Sequence, residues 1–429
     1  MPKRIAILAP VWPEPTSSAA GWRIRELAHT FRAQGWHVAV AATAALEPEP
    51  AGQAHTRARA QSPFRQALEN EGCETRAIQP NDPEFDTWIE AFNPDCVVFD
   101  RFILEEQFGW RVKAKVPGAA RILEAIDLHS LRRARTQLAA KNMGKVFGGT
   151  QGWEGADLSR ELASILRCDQ TWLLSSREAE LLIELGVPAN KLRVHQLAVS
   201  LPEKMTAVEE KRGFVTIGNF RHPPNLDAVA WLRHDLWPAI RKKLGPNVEL
   251  HVYGSYAPRE AMAWENPALG FRMMGWAENS QATLDRYAVL VAPLRSGAGV
   301  KGKILEAWSV GTAVATTSVG AEGLFSSAFG CVEDDGPSWV ESVAALHGDL
   351  ERRVKLAVES RAIVRQFHDA ETLGKELISC VENLTPEALI RLRRADPLGE
   401  MLWHQTLRST EYFSRWIESK KGSTDPISS

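Results

Sequence analysis

The chain has 429 residues, about three times a ~150-residue domain, so it is built around more than one core. Hydrophobic residues make up 44% and charged residues 24%, which excludes a disordered, collagen-like or membrane-embedded chain. Fifty-one Lys+Arg against 53 Asp+Glu leave a formal net charge of -2, which argues against whole-protein attraction to nucleic acid or anionic lipid.

Cys73, Cys96, Cys168, Cys331 and Cys380 are odd in number, scattered, and form no CxxC pair. Neither a zinc ribbon nor a disulfide framework is expected, and a reducing cytoplasm fits. The opening apolar run is too short for a signal peptide, and no stretch reaches the ~20 apolar residues of a spanning helix. The expected location is cytoplasmic, with peripheral contact at the inner membrane face left open.

Arg4 to Pro10 reads as a buried strand, followed by a loop to Ala20 carrying Pro13, Pro15, Ser17 and Ser18. Helical periodicity starts at Gly21 and places Ile24, Leu27, Ala28 and Phe31 on one stripe. Gly35 stops it, and His37 to Ala42 is a second strand, completing a βαβ unit. Leu46 to Pro63 reads as a mobile insertion. Strands at Thr75–Ile78, Cys96–Phe99, Arg121–Glu124, Thr171–Leu174 and Leu192–Leu197 follow, with helices at Phe85–Phe92 and Leu158–Leu166. Ser176 is expected to cap a helix running to Leu185, with Glu178 in its first turn.

Pro202 to Arg212 is polar and breaks the pattern, which divides a first domain, 1–204, from a second, 205–380. There, strands are expected at Phe214–Ile217, Val248–Tyr253, Phe271–Met274, Val289–Ala292 and Ala313–Thr316. Helices are expected at Asn225–Leu244, Gln281–Tyr287, Lys303–Val310 and Trp339–Leu346. Glu351 to Leu384 is helical. Residues 381–429 form a helical tail, amphipathic over Pro386–Lys420, that packs on its own domain, clamps back across the first, or lies on a membrane surface.

In open parallel sheets, ligands bind outside the carboxyl ends of the strands. The richest such loop is Pro293 to Ala307, where a strand gives way to Gly297, Gly299 and Gly302 and then a helix. Glycines let backbone N–H groups approach an anion, the helix start adds partial positive charge, and Lys301 and Lys303 add full charges. The combination suits a diphosphate, with Glu306 one turn on able to accept from sugar hydroxyls. The plain alternative is an ordinary glycine-rich turn with solvated lysines.

The run LRSGAGVKGKILEAWSVGTAVATTSVGAEGL resembles the donor-site signature of retaining glycosyltransferases of the GT-B type, the large family 4 grouping. IGNFRHPPNLDAVAWL resembles the opening of that family's second domain. APVWPEPTSSAAGWRIRELAHTFRAQGWHVAVA, EAIDLHSLRRAR and SSREAELLIELGVPANKLRVHQLAVSLPE resemble successive parts of its first. The resemblance implies an α/β GT-B architecture: two Rossmann-like domains facing across a cleft, the second holding a nucleotide-sugar. Glu306 would hold the ribose, Lys303 would neutralise the diphosphate, and the backbone at Gly299 to Gly302 would cradle it. Gly21 would let backbone approach the donor, His129 would face the transferred sugar, and Gly275 and Trp276 would lie near the base.

Two places depart from the pattern. Ala298 stands where many relatives carry a glutamate eight residues before the ribose glutamate, and Asn219 and Pro224 stand where they carry Arg and Lys. That throws diphosphate charge onto Lys303, Lys301 and Arg221. Asp127 is expected to orient its own loop or the His129 ring, and Arg132, Arg133 and Arg135 to form a solvated basic face or an acceptor contact. Asp334 and Asp335 are expected to start a helix rather than bind metal. Of the tryptophans, Trp36 and Trp88 are expected in packing, while Trp12 and Trp22 flank the first loop.

The reading is therefore a metal-independent, cofactor-free transferase of glycan or polysaccharide biosynthesis, with a glycan, lipid-linked or protein acceptor and no nucleic-acid partner. The resemblance implies retention, and same-face attack is favoured because no carboxylate is placed as a nucleophile. The alternatives are an impaired nucleotide-sugar-binding or scaffold protein, and a nucleotide-sugar epimerase.

Overall fold

The computed structural model describes residues 3–43, 62–141 and 145–404. The insertion expected at Leu46–Pro63 and the tail beyond His404 lie largely outside them.

The first domain is a seven-stranded sheet of β1 (Arg4–Ala9), β2 (His37–Ala42), β3 (Glu74–Ala77), β4 (Cys96–Asp100), β5 (Ala120–Glu124), β6 (Gln170–Leu173) and β7 (Leu192–Val194). Its order is β3-β2-β1-β4-β5-β6-β7, all parallel, with Ile5 facing both Val38 and Cys96. β1 is apolar from Ile5 to Ala9 because both faces are covered there: Ile5 and Ile7 pack into one core, Ala6 and Leu8 into the other. The second domain is a six-stranded parallel sheet of β8 (Arg212–Ile217), β9 (Leu250–Tyr253), β10 (Phe271–Gly275), β11 (Tyr287–Ala292), β12 (Ala313–Thr316) and β13 (Cys331–Val332), ordered β10-β9-β8-β11-β12-β13. Strand order reverses between β1 and β4 and between β8 and β11, and loops after these strands line one shared cleft.

Several elements differ from the sequence expectation. The first helix is Ala19–Ala33, capped by Ser18, whose hydroxyl accepts from the Gly21 N–H at 3.0 Å. Helices Pro63–Asn70 and Phe102–Lys115 were not expected. The second shows little amphipathy because Phe102, Leu104, Phe108 and Val112 are buried together with Glu105 and Arg111. Ser175, not Ser176, holds the cap position of helix Ser176–Glu184, and it makes no side-chain cap bond. The helix from Pro223 to Leu244 passes through a π-turn at Leu232–Leu236. The helix after β10 is only Ser280–Leu284, since Tyr287 already belongs to β11. Asp335 caps helix Gly336–Gly348 through Ser338 N at 3.0 Å, and Asp334 binds the Ser318 N–H and hydroxyl.

The return to the first domain comes earlier than residue 380. Helix Leu350–Phe367 buries Ile363 and Val364 in the second domain. Asp369 then caps helix Ala370–Glu382, whose Leu377, Ile378 and Val381 share a core with Ile5, Ile7 and Val98. Helices Pro386–Arg394 and Pro397–Trp403 continue on that domain, with Arg393 paired to Asp169 at 2.7 Å and Lys191 to Asp396 at 2.6 Å. The described tail is thus a strap on the first domain, because its apolar stripe fills the face of β1 and β4. The two crossings run side by side: His368 O accepts from Val199 N, and His368 Nδ1 lies 2.9 Å from Leu197 O.

Candidate active site

β11 ends at Ala292, and the chain turns through Gly297 (φ +142°) and Gly299 (φ +67°) before helix Gly302–Ser309. A Cβ at Gly299 would stand 2.7 Å from Asp127 Cβ, so both backbone conformation and close approach require glycine there. Lys303 reaches Asn225 Oδ1 at 2.8 Å, and Lys301 reaches Gly299 O. Burial lowers the Lys303 ammonium to about 8, with Lys301 adding repulsion and Glu306 opposing. Lys301 is lowered in the same direction by burial, against Glu322 and Glu178. Neither ammonium has a carboxylate in direct contact among the described residues, and Glu306, Glu322 and Glu178 act on them from a distance. Burial pushes the Glu306 carboxyl up to about 7, although Ser280 donates to it and Lys303 lies near.

The opposing wall comes from the first domain. After β5 the chain makes a tight turn, with Ile126 at φ +59° and Asp127 N donating to Ala125 O at 2.6 Å. Asp127 pairs with Arg132 Nε at 2.6 Å and lies 3.6 Å from His129 Nε2. Burial opposes its charge, but Arg132, His129, Arg101 and His222 outweigh burial and hold the carboxyl below its ordinary range. Burial lowers His129 to about 4, with Asp127 opposing and Arg132 and Arg101 reinforcing, so the imidazole is neutral at pH 7. Glu161 starts helix His129–Lys141 from outside by accepting from His129 N at 2.9 Å and Ser130 N at 3.0 Å. Arg101, directly after β4, sits at φ +71° and binds Asp100 through two 2.9 Å bonds.

The predicted residues divide in two groups. Asp127, His129, Trp276, Gly297, Lys301, Gly302, Lys303 and Glu306 line one cleft. Gly21, Gly275 and Gly299 stand behind its wall: Gly21 lets the Glu14 backbone cross the first helix, where a Cβ would lie 2.4 Å from Glu14 O. Arg221 lies elsewhere. The Asn219 side chain accepts from Arg221 N at 2.8 Å, and the guanidinium lies 3.6 Å from the Tyr256 ring centroid, outside the cleft lining. Of the cationic side chains expected at the loop, Lys301 and Lys303 line the cleft. His222, from the same turn, lines the cleft instead, with Asn219, Pro224 and Ala298.

The basic face expected on 132–135 also dissolves. Arg132 serves Asp127, Arg133 pairs with Asp157, and Arg135 is buried against Glu322 across the domains. Trp22 lines the cleft, whereas Trp12 is buried under Arg65. Trp36 and Trp88 are core residues. Sequence reading missed Arg101, whose partner is the neighbouring Asp100, and Asn225, Ser280 and Glu161, which meet Lys303, Glu306 and the His129 helix start only through the tertiary fold. No group of three or more His, Cys, Asp or Glu among the described residues is placed to hold a metal ion, and no described helix is long and apolar enough to cross a membrane.

Two parallel sheets meeting at their switch points, with a strap returning to the first, define the GT-B fold. Sucrose-phosphate synthase from Thermosynechococcus elongatus shares it, with a TM-score of 0.65 and 16% identity over 89% of this chain and 99% of that one. Anabaena HepE solved with UDP gives 0.65 and 11% identity over 89% and 100%, and a glycosyltransferase from Rickettsia africae gives 0.63 and 10% over 89% and 98%. Residues 211–349 match the family described as Glycosyl transferases group 1, so the second domain carries that family's signature. An uncharacterized 44.6 kDa protein in the cps region of Klebsiella pneumoniae is 29% identical over 114 residues, a match taking in 25% of this chain and 29% of that relative.

Proposed function

We propose that the protein transfers a sugar from a nucleoside-diphosphate-sugar to an acceptor hydroxyl, with retention and without a metal ion. The observation that carries this reading is the donor loop: two half-buried lysines, a glycine-bearing helix start and Glu306 in one cleft between two Rossmann-like sheets. The group 1 match over 211–349 supports it, as do HepE structures solved with UDP and with UDP-glucose. The diphosphate lies against Lys303 and Lys301, the ribose against Glu306, and the base toward Trp276. His129 and Asp127 face the sugar, and the acceptor enters from the first-domain wall near Arg101 and Arg132.

As the C1–O bond breaks, negative charge grows on the departing phosphate, and Lys303 stabilises it. The only carboxylates among the described lining residues are Asp127, held by Arg132, and Glu306 at the nucleotide end. Neither is free to attack C1, which favours same-face attack, the leaving phosphate oxygen taking the acceptor's proton. Five cysteines, all unpaired, suit a reducing compartment, and we place the reaction in the cytoplasm. NMR of the product tests the stereochemistry: the retained anomer is expected and an inverted one contradicts the reading. Rates with and without chelator should be nearly equal, and a collapse rescued by Mg²⁺ would contradict metal independence.

A further inference from the structure

The donor loop belongs to the second domain, yet three of its alternate residues are held by the first. Phe147 N donates to Arg295 O at 2.8 Å, Arg135 Nη1 donates to Gly297 O at 2.8 Å, and Glu178 Oε1 accepts from Gly299 N at 2.8 Å. The same Glu178 oxygen accepts from Leu128 N at 3.1 Å, between Asp127 and His129. Glu178 is 1% exposed, and its other oxygen has no hydrogen-bond partner. At this point the two loops touch, since a Cβ on Gly299 would meet Asp127 Cβ and, at 3.2 Å, Ile126 O.

Resting on the donor-loop reading above, we infer that Glu178 is a positioning residue that ties the donor loop to the Asp127–His129 loop, so that one contact between the domains sets both halves of the site. One buried acceptor atom serves an N–H from each loop. Separating the domains breaks the Gly299 bond and leaves the Leu128 bond, which lies within the first domain. With Arg135 and Phe147 on the same stretch, the donor loop keeps its shape only while the first domain lies against it. Arg135 is itself anchored by Glu322 at 2.5 Å and Gly149 O at 2.9 Å, which makes the strut rigid.

The test compares wild-type full chain with Glu178→Met, which fills the space without an acceptor, and Glu178→Gln, whose amide oxygen can take both N–H groups. Amide hydrogen exchange by mass spectrometry reads the loops, and calorimetry with UDP reads the site. In Glu178→Met, exchange should quicken in peptides spanning 126–130 and 296–301 together, while β1 and β8 stay unchanged. UDP affinity should fall at least about ten-fold, and Glu178→Gln should restore both readouts. Wild-type exchange at either loop in Glu178→Met, or wild-type UDP affinity there, would overturn the inference. A wild-type protein that ignores UDP would contradict the donor reading instead, and the exchange data alone would then decide the coupling.

Discussion

Glu306 and Lys303 show how burial tunes the proposed nucleotide site. In the free protein the Glu306 carboxyl titrates near 7 and the Lys303 ammonium near 8, each moved by burial toward its neutral form. The ionised carboxylate is the better acceptor for ribose hydroxyls, and the charged ammonium is the form that holds a diphosphate. The product of the two is greatest between about pH 7 and 8. We expect kcat/KM to fall on the acid side as Glu306 gains its proton and on the basic side as Lys303 loses its own. Glu306→Gln should remove the acid limb and weaken UDP binding by about ten-fold or more, from charge-assisted bonds of ~1.5–3 kcal/mol. An unchanged profile and unchanged calorimetric affinity would reject the assignment. The clustering of Lys301, Lys303 and Glu306 along the cleft was legible in sequence because they lie within six residues at one loop-to-helix turn. The direction of Arg221 was not, because its side chain lies over Tyr256, a contact with a residue 35 positions away.

At the scale of elements, the strands were legible wherever both faces are buried, as in β1, β4 and β11, since continuous apolar runs flanked by glycine or proline leave few other structures. Helix Phe102–Lys115 was not, because its buried Glu105 and Arg111 interrupt the apolar period; their partners Arg167 and Asp86 come from other helices. The donor loop depends most on a single position. Gly299→Ala would force a side chain into φ +67° and against Asp127. We expect a loss of about 1–3 kcal/mol in stability together with weaker UDP binding, read by thermal denaturation and calorimetry. Gly275→Ala, also at positive φ (+77°) but with open space around it, should cost backbone strain without disturbing the Asp127 loop.

Across the whole molecule, the two domains are joined by paired crossings at Leu197–Val199 and His368, and the first domain buries carboxyls on its side of the cleft. Burial raises Glu124 and Glu161 to about 7 and Glu178 to about 8, whereas all three keep ordinary values near 4.5 once unfolded. The unfolded chain releases these protons first as pH rises. Stability present below about pH 4.5 from these groups is therefore lost progressively up to about pH 8. Asp127 and Asp169 act oppositely: their folded values are lowered, so their contribution is present above about 3.8 and lost on acidification. Together they predict a stability maximum in mildly acidic solution, and a denaturant midpoint that only rises from pH 5 to pH 8 would contradict it. The strap on the first domain was legible only as an amphipathic pattern, because its partner face lies more than 270 residues earlier in the chain. The proposed cleavage of the bond between a sugar and a nucleoside diphosphate in this cleft is read by the release of free nucleoside diphosphate from a panel of nucleotide-sugars, comparing the wild type with Lys303→Ala. Release from at least one donor is expected, at least about a hundred-fold slower in the variant, whereas donors that bind but are never cleaved by the wild type would refute the reading.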